Sequence, residues 1–206
     1  MLATAATCPD TLVIGIDASH DSMAEASRRA ARSLRRGGCP NALFVVAAAE
    51  SLPLALAGCA DALTVHFPWG SLLRGLLNAD PALLGGIVRV TRPDAVVTLL
   101  LSVTARDGIA GISHVDAHTI ARLAPAYDAA GLSLVGARPA TPVDLIESHS
   151  TWAKRLRADG SRPVLLARFV RADVDHPAGG CSMWTTNDTC SARLSFRVRS
   201  GVEHHD

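Results

Sequence analysis

The stretch DALTVHFPWGSLLRG, residues 61–75, decides how the chain is read. Asp61 to Phe67 is a short run of apolar and β-prone side chains, the pattern of a buried strand. It stops at Pro68, which has no backbone donor and a fixed φ, so Phe67-Pro68-Trp69 leaves the sheet as a stiff turn. From Ser71 onward the apolar residues take helical spacing. A buried strand that runs straight into a helix is the repeating unit of an α/β sheet.

The same unit recurs on both sides. Thr11 to Ile16 is a short buried strand ending at Asp17, and 21–36 is a helix closed by Gly37-Gly38. Ala42 to Ala49 is a second strand, ending at Glu50. After the third strand, 71–90 is helical with a break at Ala79-Asp80-Pro81. Asp94 to Val103 is a fourth strand, and 118–130 a helix that Pro125 must kink or shorten. Leu132 to Arg138 is a fifth strand, 142–157 a helix with proline in its first turn, and Pro163 to Val170 a sixth strand. Strands apolar on both faces and separated by helices predict a mostly parallel sheet with helices on both faces. Such sheets bind ligands at the carboxyl ends of their strands, where Asp17, Glu50 and Trp69 all fall. From about Ala172 turn formers dominate. SARLSFRVR, 191–199, has the alternation of a short amphipathic strand; the rest of 172–206 is expected to be an irregular tail beyond a domain ending at residue 171.

Bulk composition narrows the class. The 206 residues are 49% hydrophobic and 19% charged, enough for a globular core. A net charge of +1 excludes a global field drawing the chain to nucleic acid, so any basic surface is local. Lys154 is the only lysine; the abundance of Arg and Ala also fits a GC-rich coding sequence. Five scattered cysteines without a C-x-x-C read as reduced thiols, not a disulfide frame or a zinc site. His204-His205 read as solvated rather than as metal ligands. The first residues lack a signal peptide's pattern, and the longest apolar run, Ala95 to Val103, is too short for a bilayer. A soluble, cytoplasmic protein without metal is expected.

Several side chains are placed for chemistry, each with a plainer alternative. Asp17 at a strand end suits ribose hydroxyls, or a helix N-cap. Glu50 at the next strand end suits an adenine amino group, or a helix-start charge. Trp69, on its turn, and Trp152, in ESHSTWAKRLR, would form a slot for a flat ring if they converge, as in base-modifying enzymes; either alone reads first as core or helix-packing area. Arg28, Arg29, Arg32, Arg35 and Arg36 crowd the first long helix, and Lys154, Arg155, Arg157 and Arg162 follow Trp152. Both runs read as solvated faces or as phosphate grips, the second being the more suggestive beside an aromatic. No Gly-rich turn accompanies these acids.

The ordered set LVIGID, AAAES-LP, FPWG-LL and S-x-W-A-K-R-L resembles the 16S rRNA (adenine(1408)-N(1))-methyltransferases, class I S-adenosylmethionine-dependent enzymes of aminoglycoside producers and resistant bacteria. The resemblance runs from about Leu2 to Val170, and FPWG and STWAKRL are its specific parts. It implies S-adenosyl-L-methionine as cofactor, with Asp17 on the ribose, Ala49 and Glu50 framing the adenine, and Phe67 and Pro68 beside them. It implies that Trp69 and Trp152 stack on the flipped target adenine with Ser150 setting that site. Arg28, Arg32, Arg106, Lys154, Arg155 and Arg162 would grip rRNA phosphates. The partner implied is 16S rRNA in the 30S subunit, met by a monomer, with no DNA and no membrane.

Ring N1 of adenine carries a free lone pair at neutral pH, so a stacking clamp without an adjacent acid suits methylation there; alignment itself contributes several kcal/mol. The resemblance departs at the front. Leu2-Ala3 matches the end of the helix that follows the family's first strand, so that strand, with its Gly-rich turn and acid, is expected to be missing from the sheet centre. An N-terminally truncated chain with poor cofactor binding follows from that expectation. The competing readings are another class I methyltransferase, acting on tRNA or a small molecule, and an inactive relic that only binds RNA.

Overall fold

A computed structural model describes residues 1–107, 112–150, 153, 162–172 and 194–199. Helix α1 (Leu2–Thr7) precedes β1 (Thr11–Asp17), α2 (His20–Ala30) and β2 (Ala42–Val46). The chain continues through β3 (Ala60–His66), α3 (Gly70–Leu77), α4 (Pro81–Val90) and β4 (Thr91–Leu101). It closes with α5 (Ala117–Ala129), β5 (Leu132–Pro139), α6 (Pro142–Glu147), β6 (Leu165–Arg171) and β7 (Leu194–Arg199). The seven strands form one sheet in the order β2-β1-β7-β3-β4-β6-β5. β1 pairs with β2, and β3 with β4, in parallel; β6 and β7 run against their neighbours. The α/β class and the dominant strand direction are as the sequence predicts.

The core explains why the strands read as apolar. Ile14, Ile16, Leu63, Val65, Val97, Leu99 and Phe169 are all nearly inaccessible and share one cluster with residues of α3, α4 and α5. Tyr127 of α5 stacks on Phe169 with ring centroids 4.5 Å apart, and its hydroxyl donates to the Leu76 carbonyl at 2.8 Å. That bond satisfies a buried hydroxyl that would otherwise cost about 1–3 kcal/mol, and it ties α5 to α3. The expected break between the two central helices is made by Asp80, whose carboxylate caps α4 by accepting from the Leu83 N–H at 2.9 Å, followed by Pro81 in the first turn.

Several expectations are corrected. The helix expected over 21–36 stops at Ala30, because the chain turns back and the Cys39 N–H donates to the Ala30 carbonyl at 2.9 Å. Gly38 permits this: a Cβ there would lie 1.7 Å from the Arg32 carbonyl oxygen. Of these arginines Arg28 and Arg29 lie on α2; Arg32 lies beyond its end, and Arg35 and Arg36 are on a separate 3-10 turn. The helix expected over 142–157 ends at Glu147, where Ser148 caps it and His149 turns left-handed with φ of 44°. Pro125 does not shorten α5 appreciably; the helix runs from Ala117 to Ala129.

The last correction lies in the sheet centre. The slot expected to be vacant between β1 and β3 holds β7, from the stretch read as a possible amphipathic strand. Six residues of the expected tail thus belong to the sheet. Residues 173–193 and 200–206 lie outside the described residues.

Candidate active site at the carboxyl ends of the strands

Asp17, the end of β2 and the end of β3 meet along one edge of the sheet. β1 and β2 stay paired one residue past the end of β2, the Ala47 N–H donating to the Asp17 carbonyl at 3.1 Å. The Asp17 carboxylate is half-buried and accepts from the Ser19 N–H at 2.9 Å. Asp17 is therefore not the cap of α2; Ser19 is, accepting from the Ser22 N–H. A carboxylate has lone pairs for several donors, so holding the turn at Ser19 leaves Asp17 chemically competent for hydroxyl recognition.

Ala49 and Glu50 lie on a 3-10 turn, Ala49–Ser51, just beyond β2. Ala49 is buried and Glu50 exposed. Helix α4 holds this turn in place. Gly86 lets the helix approach closely, since a Cβ there would lie 3.2 Å from the Ala49 carbonyl oxygen, and the Arg89 guanidinium donates to the Leu52 carbonyl at 3.1 Å. A buried small residue beside an exposed carboxylate, one strand from Asp17, suits the flat face and edge of a purine.

The turn after β3 carries the clearest signal. The Phe67 N–H donates to the Leu100 carbonyl at 2.7 Å, extending the sheet by one residue. Phe67 then adopts φ of 52°, a left-handed conformation that a bulky side chain takes only under constraint. Phe67 and Pro68 are buried, so the turn is anchored. Trp69, by contrast, is 84% exposed. The core reading of Trp69 is thereby excluded: a large apolar side chain is held out to solvent on a rigid, strained turn.

The segment containing Ser150 approaches the same place. Ala153 is fully buried in a cluster with Phe67, Leu100 and Leu166. Ser150 is buried too, its N–H donating to the Ser148 hydroxyl at 3.3 Å. His149, immediately before it, is a second bulky residue with positive φ. Among the described residues, two of the four non-glycine residues with positive φ therefore precede the expected clamp positions by two or three residues. Trp152, Lys154 and Arg155 lie outside the described residues, as does the side chain of Arg106, whose backbone is on the 3-10 turn Ala105–Asp107.

The basic residues divide. Arg28 and Arg32 are exposed, and Arg28 pairs with Glu25 at 3.2 Å across one helical turn. Such an exposed pair is weak and leaves the cation usable. Arg162 is only part-exposed; it pairs with Asp107 and donates to the Ser102 carbonyl at 3.3 Å. Asp107 also accepts from the Thr104 N–H at 2.7 Å. Arg162 thus ties down the loop after β4, a bond between distant residues that no local pattern announces.

His66 was not singled out by sequence. It is 2% exposed at the end of β3, directly before the strained turn, and its Nδ1 lacks a partner among the described residues. Burial, and secondarily the nearby N-terminal ammonium, push its pKa down to about 3, so the ring is neutral near pH 7. A lone histidine in an apolar strand carries no sequence signal for this. Among the described residues no group of His, Cys, Asp and Glu is arranged to hold a metal ion, and no helix is long and apolar enough to cross a membrane.

Residues 1–171 match the family model described as NpmA: 16S rRNA (adenine(1408)-N(1))-methyltransferase. A 16S rRNA (adenine(1408)-N(1))-methyltransferase of Streptoalloteichus tenebrarius is 35% identical over 164 residues, covering 77% of this chain and 75% of the relative. Among solved structures, that of a tryptophan-to-alanine mutant of the Catenulisporales acidiphilia enzyme, crystallised with cosubstrate SAM, superposes with a TM-score of 0.77 at 30% identity. It covers 86% of this chain and 82% of that one. The 16S rRNA methyltransferase KamB superposes with a TM-score of 0.74 at 31% identity, covering 84% and 82% of the two chains.

Proposed function

We propose that this chain, which belongs to the 16S rRNA (adenine(1408)-N(1))-methyltransferase family, transfers a methyl group from S-adenosylmethionine to N1 of adenine 1408 in the 30S subunit and so confers aminoglycoside resistance. The observation that carries this reading is Trp69, 84% exposed on a buried, left-handed turn at the carboxyl end of a central parallel strand. A tryptophan so placed gains by covering a flat, unstacked base, and each such stack contributes about 1–3 kcal/mol.

The residues present fit the cofactor: a half-buried carboxylate, Asp17, stands one strand from a buried alanine beside an exposed glutamate. In this reading Asp17 would accept hydrogen bonds from the ribose hydroxyls while its bond from the Ser19 N–H holds the turn. Ala49 lies against one face of the adenine, and Glu50 accepts from its amino group. When bound, the cofactor supplies an electrophilic methyl on a sulfonium.

Phe67 and Pro68 fix the height of Trp69 above the strand ends, and Trp69 holds the flipped base in register. Trp152 closes the other face, and buried Ser150 orients the segment that carries it. The N1 lone pair would accept the methyl as its bond to the sulfonium sulfur breaks and the neutral thioether leaves, so no side chain need remove a proton first; His66, neutral and buried, is not required as a base. Arg28, Arg32, Arg106, Lys154 and Arg155 contact rRNA phosphates, with Arg162 acting chiefly through the loop after β4. The protein works as a cytoplasmic monomer on 30S subunits, its methyltransferase unit comprising residues 1–171 together with β7.

The test is methylation of purified 30S subunits and, in parallel, of a tRNA pool. N1-methyladenine blocks Watson–Crick pairing, so reverse transcription should stop at position 1408 of 16S rRNA and nowhere in tRNA. A stop in tRNA, or none in either, overturns the proposal.

A further inference from the structure

The candidate site is divided between two halves of the sheet whose strands are not paired with each other, although α4 packs on the Ala49–Ser51 turn. β2 and β1 carry Asp17, Ala49 and Glu50 at their ends; β3, β4, β6 and β5 carry the Phe67-Pro68-Trp69 turn and the approach to Ser150. β1 and β3 share no ladder. Each pairs with β7 instead, Thr11 to Ile16 on one side and Ala62 to Thr64 on the other. Among the described residues, the only strand joining the cofactor-side half to the base-side half is therefore the hexapeptide Leu194–Arg199.

We propose that β7 is a positioning element of the site: it sets the separation of Asp17 from Trp69, two strand spacings or about 10 Å across the sheet. The methyl-transfer part of this claim rests on the function proposed above; the joining part does not.

Three observations support it. β7 enters at the ligand edge, since Leu194 pairs with Ile16, the residue before Asp17, and Ser195 pairs with Thr64, two residues before His66. Its sequence alternates, and the register sets Leu194, Phe196 and Val198 opposite Ile16, Ile14 and Leu12, with Phe196 also opposite Leu63. Ile14, Ile16 and Leu63 belong to the main core. Finally, the hold on β3 is short, three residues against six on β1, so the join is weakest on the side that carries Trp69. Transfer is sensitive to such spacing, because a misplacement of about 1 Å costs on the order of 100-fold in rate.

The experiment is backbone hydrogen exchange on the intact chain and on two substitutions, Phe196→Pro and Phe196→Leu. Proline has no N–H and is excluded from central strands. In Phe196→Pro the amides of 11–16 and 62–64 should lose protection at least about 100-fold, whereas Phe196→Leu should retain it. Loss of protection throughout the chain would support the proposal equally, since a segment outside the sheet would not unfold it. Wild-type protection in Phe196→Pro overturns it. Methyl transfer to 30S subunits should fall in Phe196→Pro and recover in Phe196→Leu. Normal transfer despite lost protection would leave β7 a join without a positioning role and overturn that claim. Absence of transfer by the intact chain would sink the proposed function and leave the exchange result standing.

Discussion

Truncating Trp69 to alanine separates a clamp from a structural aromatic, because the two roles predict opposite results. The side chain is 84% exposed, so its removal opens no buried cavity. Stability should change by no more than about 0.5 kcal/mol, the usual range for surface positions. For a domain of this size that is a melting-temperature shift of about 1–2 °C. The stacking energy forfeited is about 1–3 kcal/mol. At 1.4 kcal/mol per tenfold, kcat/KM for 30S methylation should fall about 5- to 150-fold. Affinity for S-adenosylmethionine should stay within a few fold, since Asp17, Ala49 and Glu50 lie on the other half of the sheet. Primer extension across position 1408 reads the product, and differential scanning fluorimetry reads the fold. Trp69→Phe should recover most of the loss, because the face matters more than the indole N–H. Wild-type methylation by Trp69→Ala would refute the clamp, and a melting-temperature loss of many degrees would return Trp69 to a structural role.

Further outcomes follow from the same geometry. His66 has its folded pKa pushed down to about 3 from an unfolded value near 6.5, so the unfolded state binds the extra proton as pH falls. Stability is full above about pH 6.5 and should drop by up to about 1.4 kcal/mol per unit as pH falls toward 3; in urea titrations at stepped pH, His66→Leu should flatten the part of this slope above pH 5, and an unchanged slope would discount the buried ring. Asp144 closes a capping box with Thr141 and accepts twice from Arg138, at 2.6 and 2.9 Å, which holds its pKa down to about 2. Asp144→Asn should cost about 1–2 kcal/mol, discounted because Arg138 is half exposed, and should slow methylation by loosening the approach to Ser150; equal melting curves would count against it. Arg28→Ala should lower the salt slope of 30S binding by about one unit without loss of stability. Arg162→Ala should lower the melting temperature and couple with Asp107→Ala in a double-mutant cycle; additive effects would mean that the loop after β4 is held some other way.

Sequence by itself determined most of the layout. Periodicity two against 3.6 separates strands from helices over short windows, so the first six strands were legible to within a few residues. The helix break at Asp80-Pro81 was legible because a cap and a proline are local chemistry. FPWG placed an aromatic at a strand end for the same reason. Tertiary structure decided what depends on residues far apart in the chain. Whether Trp69 is core or exposed turns on the left-handed Phe67, which only the anchoring of that turn by Leu100 and Ala153 sustains. The helix ends at Ala30 and Glu147 were invisible because helical spacing continues past both, and the chain stops there for reasons of return path and cap geometry. Arg162 looked like a free cation in its run, yet it pairs with Asp107, 55 residues away. Above all, a six-residue alternating strand carries no address. Its place between β1 and β3, which brings the two halves of the site into one sheet, comes from hydrogen-bond ladders more than 100 residues apart in sequence.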